Sequence, residues 1–167
     1  MRGRASLKVL VVICLVALVT VSYVIWQSTQ PVSNDQSFTL TDTNGERFSL
    51  ADFKGKVVVL DLFATTCIPC VYEVPQLAEI CRKYGSDVEV ISIGSPSDTV
   101  DGLRQFKSEY QMTWRVARDT DGVFEKYGVE YIPTLVIIDR NGTMRHRYVG
   151  LTEASTLSSR IDPLLSE

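Results

Sequence analysis

The stretch Lys56-Val57-Val58-Val59-Leu60-Asp61-Leu62-Phe63 constrains the fold more than any other part of the chain. A strand with one wet face alternates apolar and polar residues. This β-branched run hardly alternates, which predicts a central strand covered on both faces. Val88 to Ile93 predicts a second buried strand and Leu135 to Asp139 a third. Between them, Val71 to Tyr84 has helical spacing at Val74, Leu77, Ala78 and Cys81, with Gly85 placed to end it. Ser97 to Tyr110 predicts a second helix with Leu103, Phe106 and Tyr110 on one stripe, Arg115 to Arg118 a short strand, and Gly122 to Tyr127 a short helix closed by Gly128. Asn44-Gly45, between Phe38 to Leu40 and Arg47 to Ser49, and Asn141-Gly142, before Thr143 to Val149, are hairpin signals; Thr152 to Leu165 closes the chain as a helix. Strands alternating with helices give an α/β fold, a mixed sheet with helices on both faces. At 167 residues the chain holds one such domain plus appendages. A net charge of −3 offers no case for a nucleic-acid partner.

That net charge is unevenly spread. Residues 1–34 carry Arg2, Arg4 and Lys8 and no acid, leaving 14 basic against 20 acidic residues, or −6, for the remainder. Behind the basic residues, Val9 to Trp26 reads VLVVICLVALVTVSYVIW, uncharged and with only Thr20 and Ser22 clearly polar. At about 1.5 Å per residue it spans roughly 27 Å, close to a bilayer core. Basic residues in front and Tyr23 and Trp26 at the far end fit a single-pass anchor in the cell membrane with a cytoplasmic N-terminus, which leaves the remainder outside the cytoplasm. A cleaved signal peptide is the competing reading, although Thr20-Val21-Ser22 is a poor cleavage site and apolar character continues past it. The resulting organisation is a basic end at 1–8, an anchor at 9–26, a polar linker at 27–36 and a folded domain at 37–167. Cys14, within the anchor, reads as a small apolar side chain.

The residues that carry chemistry are Cys67-Ile68-Pro69-Cys70, directly after the predicted central strand and at the start of a helix. A helix N-terminus offers unpaired N–H groups and partial positive charge, both of which favour a thiolate over a thiol. A thiol of pKa about 8.5 is only about 3% ionised at pH 7, whereas one of pKa near 7 is half ionised, a gain of order tenfold in the attacking species. Cys67 is expected at the exposed tip and Cys70 one turn inside, an order that suits attack by the first and resolution by the second. Pro69 fits the first turn, where a missing N–H costs little. Asp61 in a buried strand is hard to explain as packing: an unpaired buried carboxylate is costly and its pKa should rise, as a proton acceptor for Cys70 requires. A structural, hydrogen-bonded acid is the alternative. Glu73 is either a second such group or an ordinary first-turn acid favoured by the helix dipole.

With these features together the chain resembles the thioredoxin superfamily, and within it the membrane-anchored TlpA/ResA-like thiol-disulfide oxidoreductases. The resemblance spans about residues 36 to 165. It is carried by Asp61 six residues before the first cysteine, the C-x-x-C itself, Pro75 eight residues after Cys67, and Gly128-Val129-Glu130-Tyr131-Ile132-Pro133-Thr134, which looks like the family's cis-proline loop. Ser95 to Asp121 resembles the helix-strand insertion of TlpA-like proteins, and Glu73 matches an active-site glutamate position of the ResA-like group. The resemblance implies an N-terminal β-hairpin, a redox disulfide between Cys67 and Cys70, a cis peptide before Pro133 beside Cys67, and a substrate-binding rim of Ile132, Pro133, Thr66, Ile68 and Pro69. It implies no cofactor and no resident metal. Its implied partners are a disulfide-containing protein, apocytochrome c among them, and a membrane electron donor of the DsbD/CcdA type. No histidine stands between the cysteines, which leans toward a reductant. One departure is plain: Ala64-Thr65-Thr66 precedes Cys67 where the family usually has Trp, so the surface beside the sulfur differs.

Other readings compete. A C-x-x-C is also half of a zinc site, which needs about two more ligands, and the remaining candidates are Cys81, Cys14 and His146. A Sco-like Cu(I) metallochaperone would use two cysteines and a distant histidine, but that family spaces its cysteines by three residues. A peroxiredoxin-like peroxidase would require proline and threonine where the chain has Leu60 and Ala64. Cys81, about 20 Å along the helix from Cys67, reads as a buried inert thiol, and His146, between Arg145 and Arg147, as a solvated surface residue.

Overall fold

The computed structural model describes residues 9, 11–20 and 36–166. The chain divides into two units, residues 1–34 and 35–167. In the first, residues 11–20 are helical and exposed, Cys14 included, and Thr20 Oγ1 donates to the Ala17 carbonyl at 2.9 Å. Among the described residues no helix is long and apolar enough to cross a membrane. The expected anchor is therefore described only at 9 and 11–20. Its remaining positions, the basic end 1–8 and linker positions 27–35 lie outside the described residues.

The second unit begins with the expected hairpin, β1 (Thr39–Thr41) against β2 (Arg47–Ser49), forming its own two-stranded sheet. Gln36, expected in the linker, already belongs to this unit, since its carbonyl accepts the Tyr127 hydroxyl at 2.9 Å. After a 3-10 turn at Leu50–Phe53 come β3 (Val57–Phe63), α1 (Ile68–Tyr84), β4 (Val88–Gly94), α2 (Val100–Glu109), β5 (Arg115–Arg118), α3 (Val123–Lys126), β6 (Thr134–Ile138), β7 (Met144–Val149) and α4 (Ala154–Leu164). The five-stranded sheet runs β5-β4-β3-β6-β7, with β3 central, parallel to β4 and antiparallel to β6. All seven residues of β3 are buried, as its lack of alternation predicts.

Period-two alternation sorts the sheet's side chains into two cores. Val57, Val59 and Phe63 of β3, Val88 and Val90 of β4, and Leu135 and Ile137 of β6 pack with α1, α2 and α4. Val58, Leu60 and Leu62, with Ile91, Ile93, Val136 and Ile138, pack under the hairpin, the 3-10 turn and α3, whose contributions include Phe38, Phe48, Phe53 and Val123. Helices thus lie on both faces but unequally. The second face is covered mainly by the hairpin and the four-residue α3. By the same alternation Asp61 of β3 and Ser92 of β4 fall on the first face, under α1.

Candidate active site

Cys67 and Cys70 form a disulfide, Cα to Cα 5.3 Å, at the start of α1. The helix begins at Ile68, three residues before the predicted Val71, because Cys67 itself is the N-cap: its Sγ accepts the Cys70 N–H at 3.3 Å. Pro69 occupies the first turn as expected, and Pro75 lies inside the helix. Cys67 is half-buried, more covered than the exposed tip expected, and Cys70 is buried. Thr66, Ile68 and Pro69 are exposed.

The sheet brings the second half of the site to the same edge. Leu62 pairs with Thr134, so the loop entering β6 lies beside the loop leaving β3 for Cys67. The Ile132-Pro133 peptide in that loop is cis, and Ile132 and Cys67 both pack against the first core. Thr134 Oγ1 donates to the Tyr131 carbonyl at 2.7 Å, and Gly150 N–H to the Pro133 carbonyl at 2.8 Å. Ile68 and Tyr72 on α1, Tyr131 in the loop before the cis peptide, and Val149 and Leu151 at the end of β7 that pairs with Thr134 and binds the Pro133 carbonyl expose apolar surface. The loop before Cys67 is tied to the β4–α2 connection by buried Asp98, whose Oδ1 accepts the Thr65 N–H and hydroxyl while Oδ2 accepts the Ser95 N–H.

Six acids are buried in the folded unit: Asp42, Asp61, Glu73, Asp98, Asp119 and Asp139. Four use both carboxylate oxygens on local partners. Asp42 takes the N–H groups of Asn44 and Glu46 and pairs with Arg115; Asp119 takes those of Asp121, Val123 and Phe124; Asp139 takes those of Asn141 and Thr143 and pairs with Arg145; Asp98 is the clamp just described. Asp61 and Glu73 differ. Asp61 Oδ2 accepts the Ser92 hydroxyl at 2.7 Å and Glu73 Oε1 the Thr152 N–H at 3.0 Å, but Asp61 Oδ1 and Glu73 Oε2 have no hydrogen-bond partner among the described residues. Burial pushes both carboxyls up, Asp61 to about 7 and Glu73 to about 8, with the Asp61 charge adding to the rise at Glu73. The first-turn reading of Glu73 is corrected: with the helix starting at Ile68 it lies in the second turn, fully buried, where a dipole preference for solvated acids does not apply.

Neither Cys81 nor His146 is brought to the pair. Cys81, at the far end of α1, is half-buried; burial and then the Glu89 charge push its thiol to about 11, consistent with an unreactive sulfur. His146 lies mid-strand on the edge strand β7 opposite Ile137, partly covered but still in contact with solvent, between exposed Arg145 and Arg147. Its pKa is lowered by burial and by the charges of Arg160 and Arg145. Among the described residues no group of three or more His, Cys, Asp or Glu side chains is arranged to hold a metal ion.

The sequence reading missed Ser92, Trp114 and Asp98. Trp114 Nε1 donates to Ser92 Oγ at 2.8 Å, and Ser92 in turn donates to Asp61. A signal for Ser92 was present: it is a polar interruption of an apolar strand, in parallel register with the polar interruption at Asp61.

Comparison with known proteins agrees with this geometry. The sequence model of the AhpC/TSA family matches residues 34–147. Thioredoxin-like protein YneN of Bacillus subtilis is 30% identical over 127 residues, 75% of this chain and 75% of that protein. The thiol-disulfide oxidoreductase ResA of the same organism is 30% identical over 151 residues, 85% of this chain and 84% of that one. Among solved structures, a thiol-disulfide isomerase from Corynebacterium glutamicum superposes with a TM-score of 0.70 at 31% identity, covering 78% of this chain and 96% of that chain.

Proposed function

The chain belongs to the AhpC/TSA family and is a thiol-disulfide oxidoreductase of the ResA/thioredoxin-like type; from that premise we propose that it is a membrane-tethered reductant of protein disulfides outside the cytoplasm. The observation that carries the redox reading is the asymmetry of the pair: a half-exposed Cys67 whose sulfur accepts a helix N-cap hydrogen bond, and a buried Cys70 three residues before buried Glu73 on the same helix, with the Asp61 charge acting on Glu73 and both carboxyls keeping a spare oxygen. In the reduced protein the same N–H favours a thiolate on Cys67. That thiolate attacks one sulfur of a substrate disulfide, the substrate S–S bond breaks, and the leaving sulfur takes up a proton. The Cys70 thiol then gives its proton to a neighbouring carboxylate, Asp61 or Glu73, and its thiolate attacks Cys67 Sγ. The mixed disulfide is displaced, leaving a substrate reduced by two electrons and an oxidised Cys67–Cys70 pair. Peptide substrate lies along the rim of Thr66, Ile68, Pro69, Ile132 and Pro133. With the Tyr131 and Pro133 carbonyls engaged internally, the Ile132 peptide is the backbone offered to it.

The reducing direction draws support from the absence of a histidine between the cysteines, and tethering from the apolar run Val9 to Trp26. A reductant held there needs its own electrons, from a membrane donor of the DsbD/CcdA type, and apocytochrome c is a substrate suited to it. Cys67→Ser should abolish insulin disulfide reduction, and retained turnover overturns the redox reading. Direction is tested by the potential of the pair: a value near thioredoxin's, about −270 mV, supports a reductant and one near DsbA's, about −120 mV, an oxidant. In Cys70→Ser the mixed disulfide should accumulate, and its substrate half identifies the partner.

A further inference from the structure

The first core, which also takes in Cys70, contains a one-directional chain of hydrogen bonds. Trp114 Nε1 donates to Ser92 Oγ at 2.8 Å, and Ser92 Oγ donates to Asp61 Oδ2 at 2.7 Å. All three residues are buried, at 7%, 0% and 4% exposure. They come from three separate places: Trp114 just before β5, Ser92 on β4 in register with Asp61, and Asp61 on β3. An indole N–H only donates, whereas a hydroxyl has a single proton to give. With the indole on the hydroxyl's acceptor side, the hydroxyl proton finds one acceptor among the described residues, Asp61 Oδ2. Oδ1, on the same carboxyl, is buried without a partner.

We infer that Trp114 and Ser92 are positioning residues that hold Asp61 Oδ2 as a permanent hydrogen-bond acceptor and so make Oδ1 the oxygen that takes and releases the proton exchanged with the cysteine pair. The inference rests on the reading of Asp61 as that proton acceptor and adds the parts that orient it. A freely rotating carboxyl in this core would place its proton on either oxygen. The chain removes that choice, because a proton on Oδ2 would leave the Ser92 hydroxyl without an acceptor in a site where an unmade hydrogen bond is costly. The bond also acts on the charge, lowering the pKa of Asp61 against the burial that raises it. Glu73, on α1, is the titratable group whose charge couples to Asp61, while the register neighbours across the sheet, Ser92 and Leu135, carry none.

The test uses the full chain in detergent micelles with the disulfide intact, so that Cys67 and Cys70 do not titrate. Carboxyl-labelled aspartate NMR follows Asp61. The indole N–H resonance that disappears in Trp114→Phe is thereby separated from that of Trp26, the second of the two tryptophans. In the wild type the Trp114 indole proton should shift with the same midpoint as Asp61. Ser92→Ala should raise the Asp61 midpoint by about one to two pH units, the size of one hydrogen bond to a charged acceptor, and uncouple the indole signal. Trp114→Phe should raise the midpoint by less, since the hydroxyl remains but is no longer oriented. An Asp61 midpoint unchanged in Ser92→Ala, or a wild-type indole proton indifferent to Asp61, overturns the inference. Should both signals behave as described while Asp61→Asn retains the wild-type pH profile of insulin reduction, the chain of bonds stands and the proton-acceptor reading of Asp61 is what fails.

Discussion

Asp61 and Glu73 stand apart from the other buried acids because protein structure alone does not use all their oxygens. Their ionisation therefore opposes folding, and the sign is fixed by linkage. Both carboxyls have folded-state pKa values, about 7 and about 8, above their ordinary values of 3.8 and 4.5. Between about pH 4 and 8 the native state binds more protons than the unfolded chain, so stability falls as pH rises through that window. Asp61→Asn keeps the shape and removes the charge. Thermal unfolding of the oxidised protein should then show wild type and variant alike near pH 4, with the variant more stable at pH 9, by an amount on the order of a few kcal/mol. A stability difference that ignores pH would show that Asp61 does not titrate in this range. The same variant carries a related expectation for Glu73. Asp61 ionises first, and its charge disfavours ionisation of Glu73, so Asp61→Asn should lower the Glu73 midpoint in a carboxyl-labelled glutamate titration; an unmoved midpoint would mean the two groups do not interact.

At the scale of elements, the strands were legible because their apolar runs are long and their interruptions few. β3 and β4 emerge within one residue of expectation, and β5 matches it. Helix starts were less legible, for a local reason. The α1 N-cap is a cysteine sulfur, a residue type that ordinary capping preferences do not favour. α2 begins at Val100 instead of Ser97 because Asp98 folds the preceding loop onto itself and Thr99 takes the cap, accepting the Gly102 N–H. The cysteines and Asp61 could be read from position along the chain, whereas Ser92 shows there only as a polar interruption of an apolar strand, and its pairing with Asp61 and the reach of the Trp114 indole to it depend on how the strands are placed side by side, which one sequence does not display. The β4–α2 contact offers its own test. Gly94 ends β4 under the fully buried Leu103, and a Cβ at Gly94 would overlap Leu103 Cδ2. Gly94→Ala should cost about 1–3 kcal/mol in denaturant unfolding. Because Leu103→Ala would remove the overlapping atom, the double variant should lose less than the sum of the singles; simple additivity would place the cost elsewhere than in this contact.

For the whole molecule, charge distribution and redox chemistry make one argument. On the proposed function, a reductant of disulfides outside the cytoplasm has to be delivered there and re-reduced, and a single-pass anchor would serve both needs. Arg2, Arg4 and Lys8 precede the apolar run, whereas residues 27–36 contain no lysine or arginine, so the basic bias points one way. Orientation set by that bias should weaken when it is removed. A C-terminal alkaline phosphatase fusion, active only outside the cytoplasm, should be strongly active on the natural chain and membrane-bound after alkaline extraction. Replacing Arg2, Arg4 and Lys8 with glutamine while adding three lysines after Trp26 should sharply lower that activity at equal expression. A fusion released by alkaline extraction, with the mass of a chain cut near Thr20-Val21-Ser22, would instead establish a cleaved signal, and the domain would then have to meet its electron donor by diffusion. Activity unchanged by the charge reversal, with the chain still membrane-bound, would mean that the folded domain and not the basic end decides the orientation.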